Sequence, residues 1–368
     1  MRISRREFLL FAALGLPLGC SATREVPQPL PQPPHVPPTL PPFESGDIQQ
    51  GKSSGALIKP RRLFEGATIG LVSPGGVITN PADVFQVEET LRTFGFRTVR
   101  GRHVLDRRGY LAGTDEDRAA DLHRMFTDPD VDAILTMRGG WGCNRILPLL
   151  DYDLIRAHPK ILMGFSDITS LLIALYAQAG IVTFHGPVGI STWNDFTVEY
   201  VRRVLIDGER ATLRNPRRVG PRGPIGESRV VAIRRGRTRG RLVGGNLSVL
   251  VSMIGSSFLP RWEGHILFLE DTREDVYRID RMLTQLSLAG ILPQLAGVVF
   301  GKCTRCDADD PSLSLHEVLH DHLYPLNIPC FYGSMIGHIA DKFTVPVGVE
   351  AEMDAAAGTI RLLEPAVI

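Results

Sequence analysis

The apolar positions of residues 62–192 alternate between short continuous runs and segments with helical spacing. Residues 67–72 form a mostly apolar run that ends at Ser73 and Pro74, which predicts a buried strand followed by a turn. Val84, Val87 and Leu91 then recur at helical spacing. The same alternation predicts strands over 131–137 and 160–165 and helices over 118–126, 144–150 and 167–179. Strands that alternate with helices predict an α/β domain with a parallel, doubly wound sheet.

A second block of regular elements occupies 242–368, with strands predicted over 266–269, 297–300 and 359–363 and a helix over 276–288. Between the blocks, residues 193–241 have no clear period. Ten arginines lie between Arg214 and Arg241 against one acid, Glu227. This composition predicts a solvated connector between two domains, and a patch that contacts anionic cell wall or lipid headgroups is the alternative.

The first residues have the layout of an export signal. Arg5 and Arg6 precede an apolar run over 8–18 that is too short to span a bilayer comfortably. Residues 4–9 (SRREFL) resemble the twin-arginine export signal, and residues 18–20 (LGC) resemble the site where bacterial lipoproteins are cleaved and acylated. We therefore expect an export signal over 1–19, a periplasmic location and a lipid anchor on Cys20, with an ordinary cleaved signal as the alternative.

A proline-rich segment follows the signal. Nine of the sixteen residues from Pro27 to Pro42 are proline, which predicts extended polyproline-like chain. We interpret 20–61 as a tether that precedes the folded domains, and a ligand for an aromatic groove is the alternative.

Composition and charge narrow the function classes. The 368 residues are 43% hydrophobic and 22% charged, which is typical of a soluble globular protein and excludes wholesale disorder and a polytopic membrane fold. The 41 Lys and Arg nearly balance the 40 Asp and Glu, so the net charge is too small to attract the chain to nucleic acid. We therefore expect no nucleic-acid partner. Five cysteines are too few for a disulfide framework.

Ser166 is the candidate nucleophile of the first block, because it lies where a predicted strand turns into a helix. A serine in such a turn projects outward, and the amide of Asp167 would face the oxygen of an attacked carbonyl. The motif Gly-x-Ser-x-Gly is absent, so a helix-capping serine is the alternative. Gly139 and Gly140 follow a neighbouring strand, and their amides suit either a phosphate or an oxyanion hole beside Ser166.

The second block supplies carboxylates and a histidine. Glu270 and Asp271 end a predicted strand, at the edge where open α/β sheets place their sites. His338 lies in a loop and is a candidate general base, and His185 competes for that role. Spacing alone does not separate the two histidines.

Cys303 and Cys306, followed by His316 and His320, imitate the order of zinc ligands, but the gap between the pairs is shorter than usual. A Cys303–Cys306 disulfide is the alternative in an oxidising compartment. We expect neither a metal nor a cofactor in the reaction.

Eight segments in this order resemble the LD-carboxypeptidases, a family of serine peptidases that includes murein tetrapeptide carboxypeptidases and microcin-immunity peptidases. They are 69–74 (IGLVSP), 110–115 (YLAGTD), 138–142 (RGGWG), 159–160 with 164–169 (PK, GFSDIT), 184–187 (FHGP), 240–247 (GRLVGGNL), 269–271 (LED) and 336–338 with 346–348 (IGH, PVG).

The resemblance implies a catalytic triad in which Ser166 is the nucleophile, His338 the general base and Glu270 the carboxylate that orients it. The amide of Asp167 and one from Gly139 or Gly140 would form the oxyanion hole. It also implies a two-domain fold, in which a smaller β-rich domain over 242–368 follows the α/β domain over 62–192 and the site lies in the cleft between them.

The reaction implied is hydrolysis of the L,D-amide before a terminal D-alanine of murein tetrapeptides, through an acyl-enzyme. The export signal favours periplasmic stem peptides as substrates. An immunity-type peptidase with another amide substrate and a non-catalytic muropeptide-binding protein are the alternatives. A homodimer is a further expectation that the sequence leaves open.

Overall fold

The computed structural model describes residues 57–216, 219–220, 223–224, 228–306 and 311–368, with 219–220 and 223–224 described by their backbone alone. The predicted export signal, Cys20 and nearly all of the predicted tether lie outside these residues. Among the helices within them, none combines the length and the apolar character that crossing a membrane requires.

The first domain is built on a parallel sheet. Its strands lie in the order β2-β1-β3-β4-β5, a doubly wound order. Their bounds are Thr68–Val72 (β1), Arg97–Arg100 (β2), Ala133–Thr136 (β3), Ile161–Gly164 (β4) and Thr183–His185 (β5). The helices are Ala82–Thr93 (α1), Asp115–Thr127 (α2), Cys143–Ile146 (α3), Tyr152–Ala157 (α4), Thr169–Ala174 (α5) and Asp195–Val201 (α6). All residues of β3 and β4 are buried, so both faces of the sheet are covered.

Local sequence explains where these helices begin and end. Thr114 caps α2, and its side chain and that of Asp117 form a reciprocal capping box. The helix predicted over 167–179 consists of a 3-10 turn over Ser166–Ile168, α5, and a π-helical segment over Leu175–Ala179. Gly180 ends it in a left-handed conformation, with φ 63°.

The second domain contains an eight-stranded mixed sheet in the order β6-β16-β15-β10-β11-β12-β13-β9. Strands β10 to β13 are parallel to one another, and antiparallel strands lie on both sides of them. The strands are Thr212–Arg214 (β6), Val231–Arg234 (β9), Arg237–Asn246 (β10), Ile266–Thr272 (β11), Gly297–Thr304 (β12), Cys330–Tyr332 (β13), Glu350–Asp354 (β15) and Thr359–Leu362 (β16), and a small pair is formed by Val219–Gly220 (β7) and Gly223–Pro224 (β8). Its helices are Leu247–Ser252 (α7), Val276–Leu288 (α8) and Leu315–Leu323 (α9).

Strand β14, Val345–Val347, belongs to the first sheet although it lies late in the chain. It pairs antiparallel with β5, so Val345 is the partner of His185. The boundary predicted at 242 therefore does not divide the chain into two separate halves. The loop that carries His338 is held between a strand of each sheet.

The prediction of a solvated connector over 193–241 is wrong. Its described residues contain α6, β6 and β9, and the first five residues of β10. Arg237, Arg239 and Arg241 alternate along β10 opposite Asp354, Glu352 and Glu350 of β15, which are their register partners. Salt bridges of 2.7, 2.9 and 3.4 Å join these three pairs. These three arginines thus form one face of a strand, and the acids that pair with them lie far along the chain.

The predicted start of folded structure at residue 62 is also wrong by several residues. Ile58 donates its amide to the carbonyl of Gly180 at 2.8 Å and accepts from Val182 at 2.9 Å. Lys59 forms a 2.7 Å salt bridge with Glu364. Ile58 is therefore part of the folded first domain, because its backbone amide and carbonyl are both hydrogen-bonded there.

Candidate active site

Ser166 lies at a strained turn between β4 and α5. Its φ is 64°, a left-handed value that non-glycine residues rarely adopt. The approach to this turn requires Gly164, because a Cβ there would lie 2.3 Å from the Thr136 hydroxyl oxygen. A serine on a sharp strand-to-helix turn projects its hydroxyl away from the backbone, which is the geometry of a nucleophile.

A hydrogen-bonded chain links Ser166 to residues of the second domain. The Nε2 of His338 lies 3.0 Å from the Ser166 hydroxyl oxygen, and its Nδ1 lies 2.8 Å from Oε2 of Glu270. Since a carboxylate only accepts, Nδ1 carries the proton and donates to Glu270. This tautomer leaves Nε2 as the acceptor for the serine hydroxyl.

Glu270 is fully buried at the end of β11 and also accepts from the side-chain amide of Asn246 at 3.2 Å. Burial alone would raise the pKa of this carboxyl, but the charge and the hydrogen bond of His338 more than offset it, so the pKa lies below its usual value. The buried carboxylate is therefore ionised at neutral pH and accepts the hydrogen bond of His338 as an anion.

The loop after β3 packs against the serine. The Cα of Gly139 is so close that a Cβ on it would lie 3.1 Å from both the Ser166 hydroxyl oxygen and the Asp167 amide nitrogen. The Gly139 carbonyl accepts from Gly76 at 2.9 Å, which fixes this part of the loop. Asp167 is in the first turn after Ser166, where backbone amides lack an intrahelical acceptor. The Asp167 amide nitrogen and the backbone of Gly139 thus lie beside the hydroxyl.

The side chain of Asp167 has a different task from its amide. Its Oδ2 accepts from the backbone of Cys143 at 2.9 Å, at the start of α3. Burial raises the pKa of this carboxyl, partly offset by the Cys143 hydrogen bonds. The side chain thereby ties the nucleophile turn to the glycine loop.

The competing histidine, His185, is not joined to Ser166. It is fully buried between the rings of Phe165 and Phe268, and burial lowers its pKa to about 4. Within the described residues its Nδ1 has no hydrogen-bond partner. A neutral, enclosed imidazole at this position is part of the core beneath the site.

The structure gives Asn246 and Asp271 roles in the site that the sequence analysis did not assign to them. Asp271 accepts from Asn246 at 3.0 Å and from both the amide and the hydroxyl of Ser248 at 2.9 and 2.7 Å. Burial raises the pKa of Asp271 to about 6. Asn246 therefore bridges Glu270 and Asp271, and it fixes the rotamer of the acid that holds His338. Asn246 lies within 240–247, one of the eight segments that carry the family resemblance, but the spacing of its residues does not predict this bridge.

A cleft of about 910 Å³ opens over Ser166 and His338 and is lined by both domains. Four arginines contribute to its walls: Arg145, which pairs with Asp115, and three others, Arg138, Arg273 and Arg305. Among the described residues none of the three forms an ion pair with an acid, and the acids at 307, 309 and 310 lie outside that part of the chain. The same walls contain Asp167, Asp271 and Glu274, so the cleft presents groups of both signs to a ligand.

The structure contradicts a zinc site at Cys303, Cys306, His316 and His320. Cys303 and Cys306 form a disulfide, so neither sulfur is a thiolate available to a metal. Outside the cleft, the described residues His103, Asp106 and Asp117 bring three potential ligand atoms within 4.8 Å of one another. This group does not contact Ser166.

Two family models match the chain in agreement with its two sheets. The N-terminal domain model of the LD-carboxypeptidases matches residues 69–186, and the C-terminal domain model matches 239–353. The chain belongs to the LD-carboxypeptidase family. The fold and the family therefore confirm the resemblance drawn from the eight segments.

Relatives of this LD-carboxypeptidase family member carry two kinds of name. A Bacillus subtilis protein named "probable murein peptide carboxypeptidase" is 36% identical over 82% of this chain and 93% of its own length. The murein tetrapeptide carboxypeptidase of Pseudomonas aeruginosa is 33% identical over 78% of this chain and 92% of its own. The microcin C7 self-immunity protein MccF of Escherichia coli is 30% identical over 82% of this chain and 94% of its own.

The fold is also that of a solved relative. A structure of MccF in complex with glutamyl sulfamoyl guanosine superimposes with a TM-score of 0.77 at 28% identity, covering 84% of this chain and 99% of that one. The likeness extends through both domains.

Proposed function

We propose that this protein is a serine carboxypeptidase that removes the C-terminal residue of murein peptides. The observation that carries the proposal is the hydrogen-bonded chain from Ser166 through His338 to Glu270. The three residues come from separate segments and meet at distances suited to proton transfer. Family membership and the names of the relatives support a peptidase acting on murein peptides.

The geometry accounts for each proton. Ser166 Oγ attacks the carbonyl carbon of the scissile amide while its proton passes to Nε2 of His338, and Glu270 stabilises the imidazolium. The amides of Asp167 and Gly139 donate to the oxyanion. When the C–N bond breaks, Nε2 gives its proton to the leaving amine. Water then attacks the acyl-enzyme, His338 takes the proton of that water, and Ser166 recovers it as the ester bond breaks.

The bond we propose is the L,D-amide before a terminal D-alanine of a murein tetrapeptide. Such a substrate carries several carboxylates, and the arginines of the cleft suit them. Arg273 and Arg305 follow the paired residues Thr272 and Thr304 at the ends of neighbouring strands. Both have left-handed φ values, 60° and 58°. Two strained arginines side by side at a strand edge support binding of a substrate carboxylate.

A second candidate is an immunity-type amide hydrolase. The superposition on the MccF complex favours it, because that structure holds an acyl sulfamoyl nucleoside in the same fold. The same triad chemistry would serve an amide or a related acyl bond, so specificity separates the two candidates. A non-catalytic binding protein is disfavoured because nucleophile, base and acid are all present.

We also propose that the protein is exported and works on periplasmic stem peptides. Paired arginines at 5 and 6 before an apolar run, then Cys20 and a proline-rich tether, support export and a lipid anchor. These features lie outside the described residues.

The deciding experiment is mass analysis of products from the purified protein without its first nineteen residues. The substrates are a murein tetrapeptide, the same peptide ending in L-alanine, and glutamyl sulfamoyl guanosine. Loss of one alanine from the first alone supports an LD-carboxypeptidase. Cleavage of the nucleoside conjugate alone would support the immunity-type reaction, and no product from any of them would reject the proposal. Ser166→Ala is the control for contaminating peptidase.

A further inference from the structure

Two large aromatic side chains stand exposed at the lip of the cleft. Tyr110 is 63% and Trp141 68% exposed, and both line the cleft that contains Ser166. Their ring centroids are 6.3 Å apart in an edge-to-face arrangement. Exposed aromatic surface at the edge of a site is costly to leave in water and marks a binding surface. We call this pair the aromatic lip.

The lip is held rigidly. Trp141 lies between Gly140 and Gly142, which have φ values of 104° and 116° that other residues rarely adopt. The buried Arg118 donates to the carbonyl of Gly142 at 3.0 Å. The following amide, of Cys143, is bound by Asp167. A ring on such a fixed loop loses little conformational entropy when a ligand stacks on it.

Polar groups lie around the aromatic lip. Asn144 donates to Ser252 at 2.7 Å, while its Oδ1 is buried without a partner among the described residues. Arg145 pairs with Asp115 at 2.7 Å and lies close enough to Tyr110 for an electrostatic interaction. Polar side chains held by these contacts beside two aromatic rings suit a ligand with an apolar face and a polar rim.

We propose that the aromatic lip binds the sugar that carries the stem peptide, so that the preferred substrate is a glycan-linked tetrapeptide. This rests on the proposed function. The tetrapeptide has small or charged side chains, and none would cover two aromatic rings. An N-acetylated sugar offers a flat C–H face for the rings and hydroxyl groups for the polar side chains around them.

The reach is compatible with this assignment. Three peptide residues between the scissile bond and the sugar span up to about 10 Å, and two residues of backbone from Gly139 to Trp141 span up to about 7 Å before the indole side chain begins. A peptide that places its scissile carbonyl at Ser166 is therefore long enough to bring its sugar to the lip.

The test compares two substrates: a free murein tetrapeptide and the same peptide linked to its N-acetylated disaccharide. Trp141→Ala should lower the ratio of kcat/KM for the linked substrate to that for the free one about tenfold, the loss expected for one stacking contact. Trp141→Phe should largely restore the ratio because an aromatic face remains. Tyr277→Ala, at a residue 52% exposed on α8, is the matched control and should leave the ratio unchanged.

An equal loss on both substrates in Trp141→Ala would overturn the proposal, because the ring would then serve the peptide or the loop. If Trp141→Ala changed kcat/KM for neither substrate, the proposal would be overturned as well. A second measurement is independent of turnover: the disaccharide alone should change the tryptophan fluorescence of Ser166→Ala, and this change should disappear when Trp141→Ala is added. If the wild type cleaves neither substrate, the proposed function fails, whereas this titration still decides whether the lip binds sugar.

Discussion

Gly139 lies against Ser166 so closely that a Cβ on the glycine would come within 2.8 Å of the serine Cβ. Two loops from neighbouring strands of one sheet therefore meet at the hydroxyl without a side chain between them. This contact brings the backbone of the β3 loop beside the hydroxyl, where we propose that one of its amides donates to the oxyanion. It also makes the site sensitive to the addition of a single methyl group.

Gly139→Ala should reduce kcat/KM by about 100-fold or more, because either Ser166 or the donor amide must move from its place. The free energy of unfolding should change far less than the activity does. Steady-state kinetics on a murein tetrapeptide, together with urea unfolding of the same preparation, would measure both effects.

Gly290→Ala is the matched control. Gly290 has φ 71° and nothing within 4 Å of an added Cβ, so the substitution introduces backbone strain away from the cleft. It should cost about 1 kcal/mol of stability and no activity. Full activity in Gly139→Ala would show that the amide of Gly139 is not a donor.

The sequence identifies the hydrogen-bonded chain as a complete set of three residues only through the resemblance to the family. Position at a strand end predicts Ser166 and Glu270 from the residues themselves. It does not choose between His185 and His338, because the spacing of the two histidines along the chain does not separate them. The choice depends on burial: His185 is 2% exposed between two phenylalanine rings, whereas the His338 side chain is 22% exposed at the cleft.

The failures of prediction come from long-range pairing. The arginines of β10 have a period of two, but the acids that pair with them lie more than a hundred residues later, so the run resembles solvated chain. Strand β14 contains Pro346 and only three residues, which gives no strand signal. Its pairing with β5 is set by tertiary packing.

Chelation should leave the activity intact. Ser166, His338 and Glu270 supply a nucleophile, a base and an orienting acid, and the two cysteines that imitate zinc ligands are bonded to each other. Activity after prolonged dialysis against EDTA measures this. A loss that zinc restores would instead require a metal in the mechanism, and the group formed by His103, Asp106 and Asp117 would be the first site to mutate.

Replacing Arg5 and Arg6 together with lysine should leave the precursor in the cytoplasm, because the export receptor reads the arginine pair. Cys20→Ser should release the protein from the membrane fraction, since the acylated thiol is lost. Cell fractionation with immunoblotting measures both. Unchanged export in the lysine variant would contradict the twin-arginine assignment, and persistent membrane association in Cys20→Ser would contradict lipidation.

His185 should make the protein less stable as the pH falls. Its pKa is about 4 in the folded chain against 6.5 for an ordinary exposed histidine, so between these values the unfolded chain binds a proton that the folded chain does not. The free energy of unfolding therefore decreases from neutral pH downward, by about 2 kcal/mol at pH 5 for this group. Urea unfolding at pH 7.5 and pH 5 of the wild type and His185→Gln would show the effect.

The comparison between variant and wild type isolates this histidine. Asp271 contributes with the opposite sign, because its pKa is raised from 3.8 to about 6 and the folded chain takes up its proton first. That contribution is common to both proteins and cancels in the difference. If His185→Gln lost as much stability between pH 7.5 and pH 5 as the wild type does, the acid sensitivity would arise elsewhere.

The residues of the hydrogen-bonded chain should behave as one unit. Ser166→Ala, His338→Ala and the double variant should each lose activity on the order of 10⁴-fold, because a base without a nucleophile contributes nothing. Glu270→Gln should cost less, since an attacking group and a base remain while the tautomer and charge of His338 are perturbed. The measurement is kcat/KM on a murein tetrapeptide for each variant, with folding checked by circular dichroism.

The chain itself provides the matched control for the histidine. His322 and Asp280 form a second histidine–carboxylate pair with the Nε2 of the histidine 2.7 Å from the acid, on α9 and α8 and away from the cleft. His322→Ala removes a comparable contact and should leave turnover unchanged. If His185→Ala abolished turnover in a folded protein while His338→Ala retained it, His338 would not be the base, and the proton path would have to run through the first sheet.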